Sequence, residues 1–181
     1  MRRTHPRRAR ASGFTLFELI LVIILVALFS GILLGRFLMY QELAEKAAME
    51  QTAGAVRSAL NLQVARLITQ GRVDDIPKIV TVNPMTFMTE RQKNYAGEFY
   101  EASLDDIPPG SWYYDLKHKE LVYLVQRGDH FVAGTDGMKR VRYKIGLVYN
   151  EELFRNVPPD AKKELGGVVL NEVEPYSWNV Q

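Results

Sequence analysis

Cysteine is absent from the 181 residues, so no disulfide can staple any part of the chain, and neither a thiolate ligand nor a cysteine nucleophile exists. Histidine occurs three times, as His5, His118 and His130, without the spacing of a metal-ligand set. No serine sits in a nucleophile elbow or beside a triad partner, so an enzyme is not expected. Charge of one sign is also scarce once it is apportioned. Five of the 23 basic residues lie among the first ten positions, and the remaining 18 are outnumbered by 21 acids. That balance weakens any argument from overall charge to nucleic-acid binding and leaves only a local patch to consider. Proline is missing from residues 36–70. Most telling, residues 11–35 hold a single ionisable side chain, Glu18.

What fills that region instead is an apolar run. Residues 14–35 would make a helix of about 33 Å at ~1.5 Å per residue, against a hydrocarbon core of about 30 Å. Sixteen of these 22 residues are Leu, Ile, Val or Phe. At about −0.3 to −0.6 kcal/mol each they favour membrane insertion by roughly 5 to 10 kcal/mol, whereas a charge in the span costs about 2.5 to 3.5. Insertion wins despite Glu18, and an acid kept in such a segment is a functional hypothesis in search of a partner. Arg2, Arg3, Arg7, Arg8 and Arg10 precede the span while Arg36 alone follows it closely. The amino terminus is therefore expected in the cytoplasm and the remainder of the chain outside. Two plainer readings fit less well. A secretory signal has an apolar core of about 7 to 15 residues and a small-x-small exit, which are not found here. A simple single-pass anchor leaves Glu18 as a tolerated accident. Gly31 and Gly35 form a small-xxx-small pair suited to close helix packing, although glycine is also generally frequent in membrane helices.

The run Gly13-Phe14-Thr15-Leu16-Phe17-Glu18-Leu19, basic before and apolar after, resembles the class III signal of type IV pilins and type II secretion pseudopilins. The resemblance is specific over residues 1–40 and architectural beyond them. It implies that a prepilin peptidase cuts between Gly13 and Phe14 and methylates the new amino terminus. It further implies that Glu18 pairs with the cationic Phe14 terminus of a neighbouring subunit as a filament assembles, neutralising two poorly solvated charges. The implied partners are the peptidase, other pilin subunits, an inner-membrane assembly platform and, before assembly, membrane lipid. The implied location is the bacterial inner membrane, with the carboxyl-terminal domain periplasmic, and then a pilus or pseudopilus filament. The expected function is a structural subunit, minor rather than major, of such a filament. The alternative is a minor pilin whose soluble domain binds DNA or a secreted substrate in a competence or secretion pseudopilus. Two departures stand out: many type IV pilins close a carboxyl-terminal loop with a disulfide, and many major pilins carry proline where Gly35 stands. Glu18 itself argues against the secretion tip subunit, which lacks this acid.

The expected fold class is α+β and pilin-like, with one long amino-terminal helix packed on a small antiparallel sheet. Residues 36–71 carry Val56, Leu60, Val64, Leu67 and Ile68 at steps of three and four and continue the span as an amphipathic helix, with Gly71 as its stop. Residues 72–110 hold Pro77, Pro84, Pro108 and Pro109 and read as an irregular connection with a short element near 76–82, anchored by Phe87, Tyr95, Phe99 and Tyr100. Strands are expected at 111–115, 120–126 and 139–150 within a carboxyl-terminal region 111–181. The last strand alternates Val141, Tyr143 and Ile145, facing the helix, with Arg140, Arg142 and Lys144 on the other side. That basic row is the candidate nucleic-acid surface, competing with an ordinary solvated strand face. No cofactor is expected. Calcium is kept open at Asp129 and Asp136 because the resemblance brings a calcium loop with it, but two acids fall short of six to eight oxygens.

Overall fold

The computed structural model describes residues 14–103, 106–149 and 165–180. The expected leader, with His5 and Gly13, lies outside the described residues. The chain divides into two compact units, Met1–Tyr40 and Gln41–Gln181, and one helix, α1 (Leu16–Thr69), contributes to both.

Both ends of α1 are closed by local chemistry. Thr15 Oγ1 accepts the Glu18 N–H at 3.2 Å, and Thr15-Leu16-Phe17-Glu18 has the spacing of a capping box. At the other end the Gly71 N–H donates to the Ile68 carbonyl at 3.0 Å and the Arg72 N–H to the Leu67 carbonyl at 2.9 Å. Gly71 has φ 69°, the left-handed turn that glycine adopts without a Cβ penalty.

In the second unit α1 turns Met49, Ala53, Val56, Leu60 and Leu67 inward, all buried and spaced by three, four and seven residues. They pack with Trp112, Tyr114, Leu121, Tyr123, Val141, Tyr143, Ile145, Val168 and Leu170. Each large apolar side chain so buried stabilises by about 1.5 to 3 kcal/mol. Val64 is partly buried in this core, whereas Ile68 lies one residue round from Leu67 and is exposed.

The strands are β1 (Tyr95–Phe99), β2 (Trp112–Asp115), β3 (Glu120–Leu124), β4 (Phe131–Val132), β5 (Arg140–Tyr149), β6 (Leu165–Glu172) and β7 (Ser177–Trp178). Five of them form a sheet in the order β1-β2-β3-β5-β6, and β4 pairs with β7 in a separate ribbon. The protein is thus α+β, an amino-terminal apolar helix whose later part packs on a small sheet. The sheet is not wholly antiparallel: β1 runs parallel to β2, while β2–β3, β3–β5 and β5–β6 are antiparallel. A parallel neighbour requires a crossover, and the connection between β1 and β2 supplies one. It carries Ile107 to the sheet face away from α1, where Ile107, Tyr113 and Val122 form a second cluster with Phe99, Ala102 and Leu124. Residues 121–123 are accordingly buried from both sides.

Residues 73–87 are two 3-10 segments, Val73–Thr81 and Pro84–Phe87. The Asn83 side chain joins them to β1: Oδ1 accepts the Met85 N–H at 3.0 Å, and Nδ2 donates to the Tyr95 hydroxyl and to Glu98 Oε1, each at 2.7 Å. Phe87 and Tyr95 pack against the main core. Tyr100, an expected anchor, is exposed.

Candidate functional site

In the first unit every Leu, Ile, Val and Phe from residue 14 to residue 38 is exposed, between 42% and 77%. An 18-residue window of α1 has mean hydropathy 2.9 and none of it is buried. In water so much apolar surface is unfavourable by about 25 cal/mol per Å². The helix is long and apolar enough to cross a membrane, and it lies near the amino terminus.

Glu18 stands in the first turn of this helix and is exposed. Two local reasons favour an acid there: it is the third residue after the Thr15 cap, and it faces the positive end of the helix dipole, worth about 0.3 to 1 kcal/mol. Phe14 precedes the helix and is exposed. A Cβ added at Gly31 or Gly35 would meet nothing within 4 Å. Among the described residues, none therefore demands glycine at either position.

The basic row of β5 is already occupied by acids. Arg140 donates twice to Asp136 Oδ2, at 3.0 and 2.6 Å. Arg142 donates to Glu174 at 2.6 Å and reaches Glu120 at 3.5 Å. Lys144 is half exposed and stands 4.0 Å from Glu120. Glu174 also accepts the Thr135 N–H and hydroxyl, at 3.3 and 2.9 Å. The Arg142 guanidinium, then Thr135, hold its carboxyl below the usual range. Burial alone would raise the Asp136 carboxyl, but the Met138 N–H and Arg140 outweigh it and hold it low. Asp136 is thus a partner for arginine. Among the described residues no three His, Cys, Asp or Glu gather as a metal site would require. His118 pairs with Asp115 at 2.7 Å.

A cluster without a forewarning in composition lies at Glu42 and Glu45. Glu42 is 2% exposed. Its Oε1 accepts the Trp178 indole N–H and the His130 backbone N–H, both at 2.9 Å, and Oε2 lies 2.7 Å from His130 Nδ1. Burial would push this carboxyl up, but the hydrogen bonds from His130 and Trp178 prevail and leave it lowered. Lys46 donates to the Trp178 carbonyl at 2.8 Å. Glu45 accepts the Gln126 and Arg127 N–H groups at 2.7 and 2.9 Å and the Tyr123 hydroxyl at 3.1 Å. The two acids fasten the 126–130 turn and β7 to α1. The sequence does hold a signal: Glu42 falls seven residues before Met49 and fourteen before Val56, on the buried stripe.

Beside β1 lies a shallow recess of about 440 Å³ lined by residues including Asn83, Thr86, Arg91, Tyr95 and Glu98. Its buried amide is fully engaged within the chain. The described residues therefore present a helix long and apolar enough to cross a membrane and a domain tied together by internal ion pairs. Compared with protein-family models, with curated proteins and with solved structures, the chain matches none.

Proposed function

We propose that this chain is a structural subunit of a type IV pilus or type II secretion-like filament, made as a membrane-inserted precursor, cut after Gly13 and methylated on Phe14. The observation that carries the reading is the Gly13-Phe14-Thr15-Leu16-Phe17-Glu18 run at the head of α1, with Glu18 in the first turn of an apolar stretch exposed throughout. Before assembly lipid covers that stretch. In the filament the helices of neighbouring subunits cover it, with Gly31 and Gly35 allowing close approach. Glu18 then meets the Phe14 amine of the next subunit, and each charge relieves the other's desolvation cost. In this reading the domain from Gln41 onward is the part of the subunit left free to differ between filaments, and among its described residues the side-chain chemistry is that of internal ion pairs.

The tests separate processing from assembly. In cells containing prepilin peptidase, the purified subunit should have a mass corresponding to a methylated chain beginning at Phe14. A mass matching a start at Met1 would sink the cleavage claim. Glu18→Ala should insert into the membrane as well as the parent chain, because removing a charge from the span can only favour insertion. It should nevertheless be lost from sheared filament fractions, and normal incorporation would remove the pairing claim. Deletion of the protein, scored in parallel for surface pili, protein secretion and DNA uptake, identifies the machine.

A further inference from the structure

We infer that Arg36 and Tyr40 hold a phospholipid headgroup, Arg36 on its phosphate, and so set the depth at which α1 sits in the membrane; the inference rests on the membrane-spanning reading above. Residues 19–35 contain no ionisable side chain. They measure about 26 Å along a helix at ~1.5 Å per residue, slightly short of a ~30 Å hydrocarbon core. Arg36 is therefore the first cation at the outer end of the apolar run, placed just inside the level of the phosphates. A guanidinium on a long apolar stem suits that place, since the stem stays in hydrocarbon while the fork reaches outward to bind phosphate oxygens in pairs.

The helix surface around Arg36 has the polarity of a phospholipid. Ser30, Leu33, Leu34, Arg36, Phe37 and Tyr40 line an open groove of about 470 Å³. Ser30 stands at its inner end, Leu33, Leu34 and Phe37 supply the apolar wall suited to an acyl chain, and Arg36 and Tyr40 form its outer end. Tyr40 is four residues beyond Arg36, on the same side of the helix one turn further out, where a phenol sits at headgroup level. No acid within the run competes for the guanidinium. The nearest along the helix in the outward direction is Glu42, whose carboxylate is taken by His130 and Trp178.

Because the chain has no cysteine, single cysteines can report depth directly. The full-length protein carrying Val26→Cys, Leu34→Cys, Leu38→Cys, Met39→Cys or Gln41→Cys, one at a time, is reconstituted in phosphatidylethanolamine and phosphatidylglycerol vesicles and treated with a membrane-impermeant maleimide. Protection is expected at 26 and 34, with labelling at 38, 39 and 41. Adding Arg36→Leu should move the border outward by about one turn, roughly 5 Å, so that 38 and 39 become protected. Arg36→Lys should leave it in place. Vesicles of digalactosyldiacylglycerol, which has no phosphate, should produce the same outward shift with Arg36 intact. A border that stays within one residue of its original position in either the Arg36→Leu or the phosphate-free arm overturns the proposal. Labelling of Val26→Cys as strong as that of Gln41→Cys in all vesicles refutes the membrane-spanning reading itself, and the proposal with it.

Discussion

Replacing Glu42 by alanine should destabilise the domain by about 3 kcal/mol. The largest part comes from Trp178, which is 2% exposed: without Oε1 its indole N–H loses its 2.9 Å partner where water cannot substitute, and a buried orphan donor costs about 1 to 3 kcal/mol. His130 adds less, because its side chain is 48% exposed and water can take over its bonds at roughly 0.5 to 1 kcal/mol each. For a domain of this size ~1 kcal/mol moves Tm by about 3 to 5 °C, so the full-length variant in detergent micelles should melt roughly 10 °C lower by near-ultraviolet circular dichroism. Glu42→Gln keeps an acceptor for Trp178 and should lose only about 1 kcal/mol. The pH dependence has a definite sign. The folded Glu42 carboxyl is held below its ordinary value of 4.5, so the charge stabilises the fold above that value and the benefit disappears as pH falls through the depressed folded pKa. The gap between wild type and Glu42→Gln should therefore be full at pH 7 and close under acid. An alanine variant within about 0.5 kcal/mol of wild type, a difference typical of an inert surface change, would falsify this account of the cluster.

Other perturbations address different parts of the molecule. Gly71→Ala forces a side chain into φ 69° and should cost about 1 kcal/mol, read as a Tm shift of 3 to 5 °C; an unchanged Tm would show that the turn is not required. A double-mutant cycle on Arg142 and Glu174, whose 2.6 Å contact is partly exposed, should give a small favourable coupling that weakens in high salt, and zero coupling would make the pair ornamental. Simultaneous alanine replacement of Arg140, Arg142 and Lys144 should leave DNA binding unchanged at every salt concentration, because Asp136, Glu174 and Glu120 already answer these cations; a clear loss of affinity would restore the basic row as a nucleic-acid surface.

The parts of the fold visible in sequence are those governed by local pattern. A single apolar segment that spans lipid must satisfy its backbone internally, which a helix does, and further along α1 Val56, Leu60 and Leu67 mark the inward face by spacing alone. Alternation in β5 likewise separates Val141, Tyr143 and Ile145 from Arg142 and Lys144 between them. β1 was hidden because Tyr95-Ala96-Gly97-Glu98-Phe99 is poor in β-formers and bulges between Tyr95 and Gly97. β6 was hidden because Gly166-Gly167 reads as a turn, yet Gly167 pairs with Val148 in mid-strand. Phe14, Glu18, Gly31 and Gly35 can be singled out from sequence because the chemistry proposed for them is contained in a short stretch. The Glu42 cluster was not, since its partners lie 88 and 136 positions away and no local pattern encodes such a pairing. For the same reason the basic row looked freer than it is: Glu174 lies 32 positions from Arg142.

The bond from Trp178 to Glu42 has a consequence in time. Trp178 leaves the ribosome 136 residues after Glu42, so until β7 has been made and delivered Glu42 has only His130 to answer it and the β4–β7 ribbon is incomplete. Loop closure over such a separation is slow, and strands awaiting their partners are vulnerable to aggregation. The domain thus cannot finish folding piecemeal from its amino-terminal side. A chain interrupted before residue 178 lacks the contact that closes the structure, and this makes the pairing a check on the integrity of the product as well as a fastening within it.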